Sequence, residues 1–260
     1  MIQGKSLKKR IADGETVYGT FFKLNDANLV EMLGLNGFDF IIIDTEHSNY
    51  AKTDVENLVR AADYANISAI VRVAANTEEH ILHAMDSGAC GIQVPGLETV
   101  EAAKEAARAA KYYPLGNRGL STAQRAAKFG NWNGEVPYVQ FANENSLVVA
   151  HIENVEMAAH VEELCDIDTI DVLFVGPADL SQSMGMPGKS TDPKVQAVIA
   201  DIFQRANAKG KAVGIFAGTP EMVEKYKNMG AKYIAYASDA VLINRAFKAA
   251  VGKINEIKAK

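Results

Sequence analysis

Two textures alternate along the whole chain. Short runs rich in Val, Ile and aromatic residues occupy about 16–22, 38–45, 68–73, 91–94, 147–152, 171–175, 212–216 and 233–236, each of strand length. Between or after them lie 25–33, 53–64, 77–87, 99–111, 154–165, 193–209, 220–229 and 239–257, where apolar residues recur at helical spacing. Leu29, Met32 and Leu33 show that spacing, as do Val55, Leu58, Val59 and Ala62. Thr53 with Glu56 three residues on, and Pro220 directly after Thr219, are helix-start signals. Eight strand–helix alternations predict a parallel α/β fold, and their number fits one (β/α)8 TIM barrel over 1–260. An open doubly wound sheet has the same rhythm and is the alternative. The rhythm breaks once, in an insertion at about 112–145 that carries Arg118, Ser121, Thr122 and Arg125. So long a connection is either functional, its polar residues meeting an anionic ligand, or a surface excursion used for subunit contacts.

In a parallel barrel the ligand site lies beyond the carboxyl ends of the strands, so the residues ending each run matter most. The run LVVAHIE ends in Glu153, and DVLFVGPADLS brings Asp179 just past the next strand. Two carboxylates at successive strand ends repel one another unless a cation lies between them, which predicts a metal site. The turn Gly176-Pro177-Ala178-Asp179 also has free backbone N–H groups that can hold a carboxylate. In the second strand Phe40, Ile42, Asp44 and Glu46 share one face, and His47 follows on the loop. A carboxylate beside a histidine makes a general acid/base pair; a plain surface histidine is the alternative. Arg72 ends an otherwise apolar strand, where its fork suits either a substrate oxyanion or a structural ion pair. His80 and His83, one helical turn apart, have no third ligand nearby and read as an exposed face.

Composition narrows the class. The chain is 48% hydrophobic and 23% charged with a net charge of −5, which argues against a nucleic-acid surface. No apolar run approaches membrane-spanning length, and MIQGKSLKKR lacks the apolar stretch of a secretory signal. The two cysteines, Cys90 and Cys165, read as reduced thiols of a cytoplasmic protein.

Taken in order, GFDFIIIDTEH, VRV, GIQVPGLET, YYPLGNRG, HIEN and FVGPADLS resemble the metal-dependent pyruvate aldolases of the 4-hydroxy-2-oxoheptanedioate aldolase family, which includes 2-keto-3-deoxy-sugar-acid aldolases. The similarity covers roughly residues 5–250. It implies a barrel of the phosphoenolpyruvate/pyruvate-binding type that holds Mg²⁺, Mn²⁺ or Co²⁺ through Glu153 and Asp179. It further implies pyruvate chelating that ion, with Arg72 at the keto oxygen, the Ala178 and Asp179 amides at the carboxylate, and His47 with Asp44 as acid/base dyad. An acid matching Asp86 would reach a neighbouring subunit's site in a trimer-based homo-oligomer. Two positions depart from the family pattern: His151 stands where glutamine is usual, and Phe21 where tryptophan is usual. The first touches the metal's surroundings, as a group bonded to Glu153, a third ligand or a space filler; the second touches the substrate wall.

The implied reaction is reversible cleavage of a 4-hydroxy-2-oxo acid to pyruvate and an aldehyde. A lysine Schiff base is the other way to stabilise the carbanion, and Lys23 is the one candidate near a strand end. Other classes compatible with the same barrel are a metal-dependent lyase acting on an acyl-CoA ester and a pyruvate-binding protein without turnover.

Overall fold

The computed structural model describes residues 6–259; the first five residues of the stretch read for a secretory signal, and residue 260, lie outside the described residues. The chain runs α1 (Leu7–Ala12), β1 (Val17–Phe22), α2 (Ala27–Leu35), β2 (Phe40–Asp44), α3 (Lys52–Tyr64), β3 (Ser68–Arg72), α4 (Glu78–Asp86), β4 (Gly91–Val94) and α5 (Val100–Ala110). It continues with α6 (Tyr138–Asn145), β5 (Leu147–Ile152), α7 (Val155–Ala159), α8 (Val161–Cys165), β6 (Val172–Val175), α9 (Pro177–Ser183), α10 (Pro193–Ala208), β7 (Ala212–Ala217), α11 (Pro220–Asn228), β8 (Tyr233–Ser238) and α12 (Asp239–Lys258). Every strand pairs in parallel with its neighbour in sequence, and β8 returns to β1, closing an eight-stranded barrel. Closure rules out the open sheet.

The two faces of each strand do different work. Outward residues such as Ile41, Ile43, Val71, Ile92 and Val148 pack under the helical ring in one large apolar cluster. Inward residues such as Phe40, Ile42, Ile70, Val149, Phe174 and Tyr233 fill the barrel in a second cluster, closed at the floor by Leu7 and Ile11 of α1. Helix α1 escaped the sequence reading because just two large apolar residues, Leu7 and Ile11, mark it, one helical turn apart. Ser6 caps it, and Lys8 ties it to Asp171 ahead of β6 at 3.0 Å.

The predicted helix 154–165 breaks at His160 into α7 and α8. Arg205 of α10 explains the break: its guanidinium donates to the carbonyls of Ala158 and Ala159, both at 2.8 Å, and so satisfies acceptors a continuous helix would use. The insertion is rooted at the barrel floor at both ends, between the end of α5 and the start of β5, and packs Tyr112, Ala127, Tyr138 and Ala142 with Trp132 as a small core. It runs along the outer side of α4, where Asn117 meets Glu78 (3.3 Å) and Arg118 meets Asp86 (2.5 Å). Among the described residues, no helix is long and apolar enough to cross a membrane.

Inside the barrel, Phe40 and Tyr233 stack with ring centroids 4.1 Å apart. Gly19 leaves room for that stack, since a Cβ there would lie 2.3 Å from the Phe40 ring and 2.4 Å from the Phe40 carbonyl. A strand carbonyl cannot move aside without shifting β2. Gly19→Ala is therefore expected to lower stability by about 1–3 kcal/mol, the range for overpacked cores. Urea unfolding checks this; an unchanged midpoint would contradict the packing described.

Candidate active site

The carboxyl ends of the strands bring together Phe21 and Lys23 (β1), Asp44, Glu46 and His47 (β2), Arg72 (β3), Gln93 (β4), His151 and Glu153 (β5), and Gly176 to Asp179 (β6 into α9). Asp44 and Arg72 are register partners on adjacent strands, which puts their side chains in contact. Arg72 Nε and Nη2 donate to the two Asp44 oxygens at 2.8 and 2.7 Å, and both groups are buried. Lys23 adds its ammonium to the same carboxylate. Burial pushes the Asp44 carboxyl up, but the hydrogen bonds and charge of Arg72, followed by Lys23, outweigh it and hold the group at about 2. Arg72 Nη1 also lies 2.7 Å from Glu46 Oε2, a close ion pair without hydrogen-bond alignment, and its guanidinium sits 4.9 Å from the Phe21 ring centre.

This geometry corrects the expected contact between the Asp44 carboxylate and the His47 ring. The Arg72 fork covers both Asp44 oxygens, and Asp44 Oδ1 accepts the backbone N–H of His47 at 3.2 Å. Asp44 thus fixes the loop that carries His47, while the imidazole itself is more than half exposed and points its Nε2 towards Glu46 Oε2, 3.9 Å away. Lys23, read from sequence only as a Schiff-base candidate, serves here as a counter-ion. Its loop is held by the buried Asp239, which accepts the backbone N–H groups of Lys23 and Leu24.

Glu153 follows β5 and is largely buried. Its Oε1 accepts the Gly96 N–H at 2.5 Å, and its Oε2 lies 2.7 Å from His151 Nδ1. Burial raises its pKa; the His151 hydrogen bond, with help from the Gly96 N–H and the charge of Arg72, reverses that and holds it at about 2. The carboxylate is therefore ionised at neutral pH. Glycine at 176 allows the next strand end to come close, because a Cβ there would stand 3.2 Å from Glu153 Cβ and 3.4 Å from Oε2. Asp179 is exposed in the first turn of α9, next to Ala178.

Among the described residues, no group of three or more His, Cys, Asp or Glu side chains could hold a metal ion. The donor chemistry of Glu153 and Asp179 nonetheless suits a hard divalent cation. Both are oxygen donors, and a carboxylate with about four lone-pair positions keeps about two after the bonds Glu153 already makes.

Phe21 is buried at the top of the barrel, against Phe174 (6.2 Å) and Phe216 (6.0 Å). Asp86 and Ser121 lie apart from this group. Asp86 ends α4 at the floor side and pairs with Arg118; Ser121 is exposed on the insertion outside the helical ring. Gln93 and Tyr233 were missed by sequence reasoning. The signal was there for Gln93, a lone polar residue in the buried run GIQV on the inward side of the strand.

Fold and site together define a closed (β/α)8 barrel with acidic side chains gathered at the carboxyl ends of its strands. Comparison with known proteins makes this specific: the chain belongs to the HpcH/HpaI aldolase/citrate lyase family, whose description matches residues 17–246. A 2-dehydro-3,6-dideoxy-6-sulfogluconate aldolase from Pseudomonas putida is 37% identical over 88% of this chain and 89% of its own. A 4-hydroxy-2-oxo-heptane-1,7-dioate aldolase from Shigella boydii serotype 18 is 33% identical over 94% of this chain and 92% of its own. Among solved structures, the citrate synthase SbnG superposes with a TM-score of 0.87 at 31% identity, covering 98% of this chain and 99% of that one.

Removing Arg72 would leave the buried Asp44 carboxylate with only a partly exposed lysine. Arg72→Ala is expected to cost about 3–5 kcal/mol, the range for breaking a buried ion pair from one side. Lys23→Ala should cost clearly less, because the Arg72 fork still neutralises Asp44. Chemical denaturation of both variants checks the order; equal losses would show that Arg72 is not the principal partner.

Proposed function

We propose that the protein is a divalent-metal-dependent aldolase that reversibly cleaves a 4-hydroxy-2-oxo acid to pyruvate and an aldehyde. The barrel would then be of the phosphoenolpyruvate/pyruvate-binding type. The observation that carries the reading is the Glu153 carboxylate at the β5 end, held by the Gly96 N–H and His151, with Asp179 just beyond the adjacent β6, in a chain 33–37% identical to a 4-hydroxy-2-oxo-heptane-1,7-dioate aldolase and a 2-dehydro-3,6-dideoxy-6-sulfogluconate aldolase. Glu153 and Asp179 would hold the ion, with Mg²⁺, Mn²⁺ and Co²⁺ as candidates; when bound, it supplies Lewis-acid stabilisation of charge developing on the keto oxygen of the substrate.

The chain's own residues divide the remaining work. Arg72, fixed by Asp44 and Glu46, offers a preorganised cation beside that keto oxygen. The Ala178 and Asp179 amides would meet the substrate carboxylate. His47 takes the proton from the C4 hydroxyl, directly or through one water, as the C3–C4 bond breaks and the aldehyde forms. The bonding pair is left as the pyruvate enolate, which takes up a proton at C3 to give pyruvate, and the same steps run backwards in synthesis. Its exposed ring, on a loop pinned through its backbone by Asp44, suits a group that must reach the aldehyde half. Phe21 would form part of the wall around that half, with His151 below Glu153.

Asp86 and Ser121 fit this scheme through a second copy of the chain. Asp86 is at the floor side of its own barrel, and the insertion beside it exposes Leu120 and Phe129 at 60% and 61%, apolar surface that a subunit contact would cover. The family resemblance makes that copy part of a trimer-based homo-oligomer. The likeness to a citrate synthase favours one second reading on the same site, carbon–carbon bond chemistry on an acyl-CoA ester.

A single assay separates these. With pyruvate release followed from a panel of 4-hydroxy-2-oxo acids, chelation should abolish activity and Mn²⁺ should restore it. His47→Ala should lose cleavage while retaining pyruvate binding, whereas Arg72→Ala should weaken both. Full activity in chelated protein would return Lys23 to consideration as a Schiff-base lysine. Cleavage of an acyl-CoA thioester without pyruvate release would favour the second reading.

A further inference from the structure

A file of polar side chains crosses the barrel interior between apolar neighbours and ends on Glu153. Tyr233 of β8 places its hydroxyl 3.3 Å from Gln93 Oε1 of β4. Gln93 Nε2 lies 2.6 Å from His151 Nε2 of β5, and His151 Nδ1 lies 2.7 Å from Glu153 Oε2. Tyr233, Gln93 and His151 are all buried, at 0%, 0% and 2% exposure, so each polar atom depends on these partners.

The donors and acceptors can be arranged consistently in one direction. Complete burial keeps the proton on the Tyr233 hydroxyl, which donates it and needs an acceptor. The carbonyl oxygen of Gln93 accepts it. That fixes the amide, so the NH₂ group faces His151 and donates to Nε2. An imidazole whose Nε2 accepts carries its proton on Nδ1, and Nδ1–H then donates to Glu153. Aromatic packing holds the members in place: His151 stacks on Phe174 at 5.0 Å, and Tyr233 stacks on Phe40 at 4.1 Å.

We infer that Gln93 and Tyr233 are positioning residues that act through His151: by holding the imidazole as its Nδ1–H tautomer they fix the Glu153 carboxylate, and thereby set how tightly this site takes a divalent cation. The inference rests on the reading of Glu153 as a metal ligand. Side chains that orient a ligand from behind change metal affinity by about 10–100-fold when removed. Glutamine in place of His151 could reach Glu153 with its NH₂ group, but it lacks the second ring nitrogen that links the ligand to Gln93 and Tyr233.

The test is calorimetric titration of Mn²⁺ into the metal-stripped full chain, with thermal unfolding of the metal-free proteins alongside. Gln93→Leu should weaken Mn²⁺ binding by roughly tenfold or more, and Tyr233→Phe, one link further away, should weaken it less and in the same direction. Independently, ¹⁵N spectra of the five histidines, with His151 assigned by its loss in His151→Gln, should show Nδ1 protonated in the wild type and a mixed tautomer in Gln93→Leu. Glu153→Gln separates the two layers of the argument. If Glu153→Gln loses Mn²⁺ while Gln93→Leu and Tyr233→Phe bind it like the wild type, the positioning role is wrong and the metal reading stands. If Glu153→Gln binds Mn²⁺ normally, both fall. A wild-type His151 protonated on Nε2, or variants that lower the unfolding temperature without moving affinity or tautomer, would also overturn the inference.

Discussion

The site depends on a buried charge pair at the top of the second and third strands. Asp44 has no access to solvent, and a carboxylate in that position survives only because Arg72 meets it with two aligned hydrogen bonds. Strand register makes the pair possible, since Asp44 and Arg72 face each other directly across β2 and β3. Its consequences spread outward. Arg72 is held against Glu46 and the Phe21 ring, Lys23 is drawn in from the end of β1, and the His47 loop is pinned through its backbone. The charge of Arg72 also helps keep Glu153, two strands away, ionised. One ion pair thus fixes the Arg72 cation, the His47 loop and part of the electrostatics around Glu153.

The barrel separates this chemistry from its own stability. At the floor, α1 inserts Leu7 and Ile11 among the strand starts, and the fully buried Lys111 donates to the carbonyls of Asn143 and Ser146, locking the end of α5 to the start of β5. At the mouth, polar side chains replace the apolar layers. The insertion belongs to the floor side by both its anchors, which is why its polar residues lie outside the helical ring and not over the carboxyl ends of the strands. Asp86 is placed in the same way, because every helix of the ring runs opposite to the strands and ends where they begin.

The barrel was legible in the sequence because its cause is local: a period of two in the strands, helical spacing between them, and turn chemistry at the joins. Strand-end positions followed from the same alternation, so Asp44, Arg72 and Glu153 could be picked out as groups at the ends of their strands. The sequence did not disclose which inward groups take which partners. Both Asp44 oxygens go to an arginine 28 residues away in place of the nearby His47 ring. The break between α7 and α8 is made by an arginine more than 40 residues downstream. Gln93 and Tyr233 meet across 140 residues of chain. Each of these contacts depends on closure of the barrel, which periodicity suggests but does not locate side chain by side chain.

The central claim is that Glu153 and Asp179 together hold a divalent cation to which a 2-oxo acid binds. Crystals soaked with Mn²⁺ and pyruvate, with diffraction recorded at the manganese absorption edge, test it most directly. The account predicts one anomalous peak within bonding distance of a Glu153 oxygen and an Asp179 oxygen, with pyruvate beside it and its keto oxygen near Arg72. A peak at another cluster, or pyruvate bound with no peak at these two carboxylates, would contradict it.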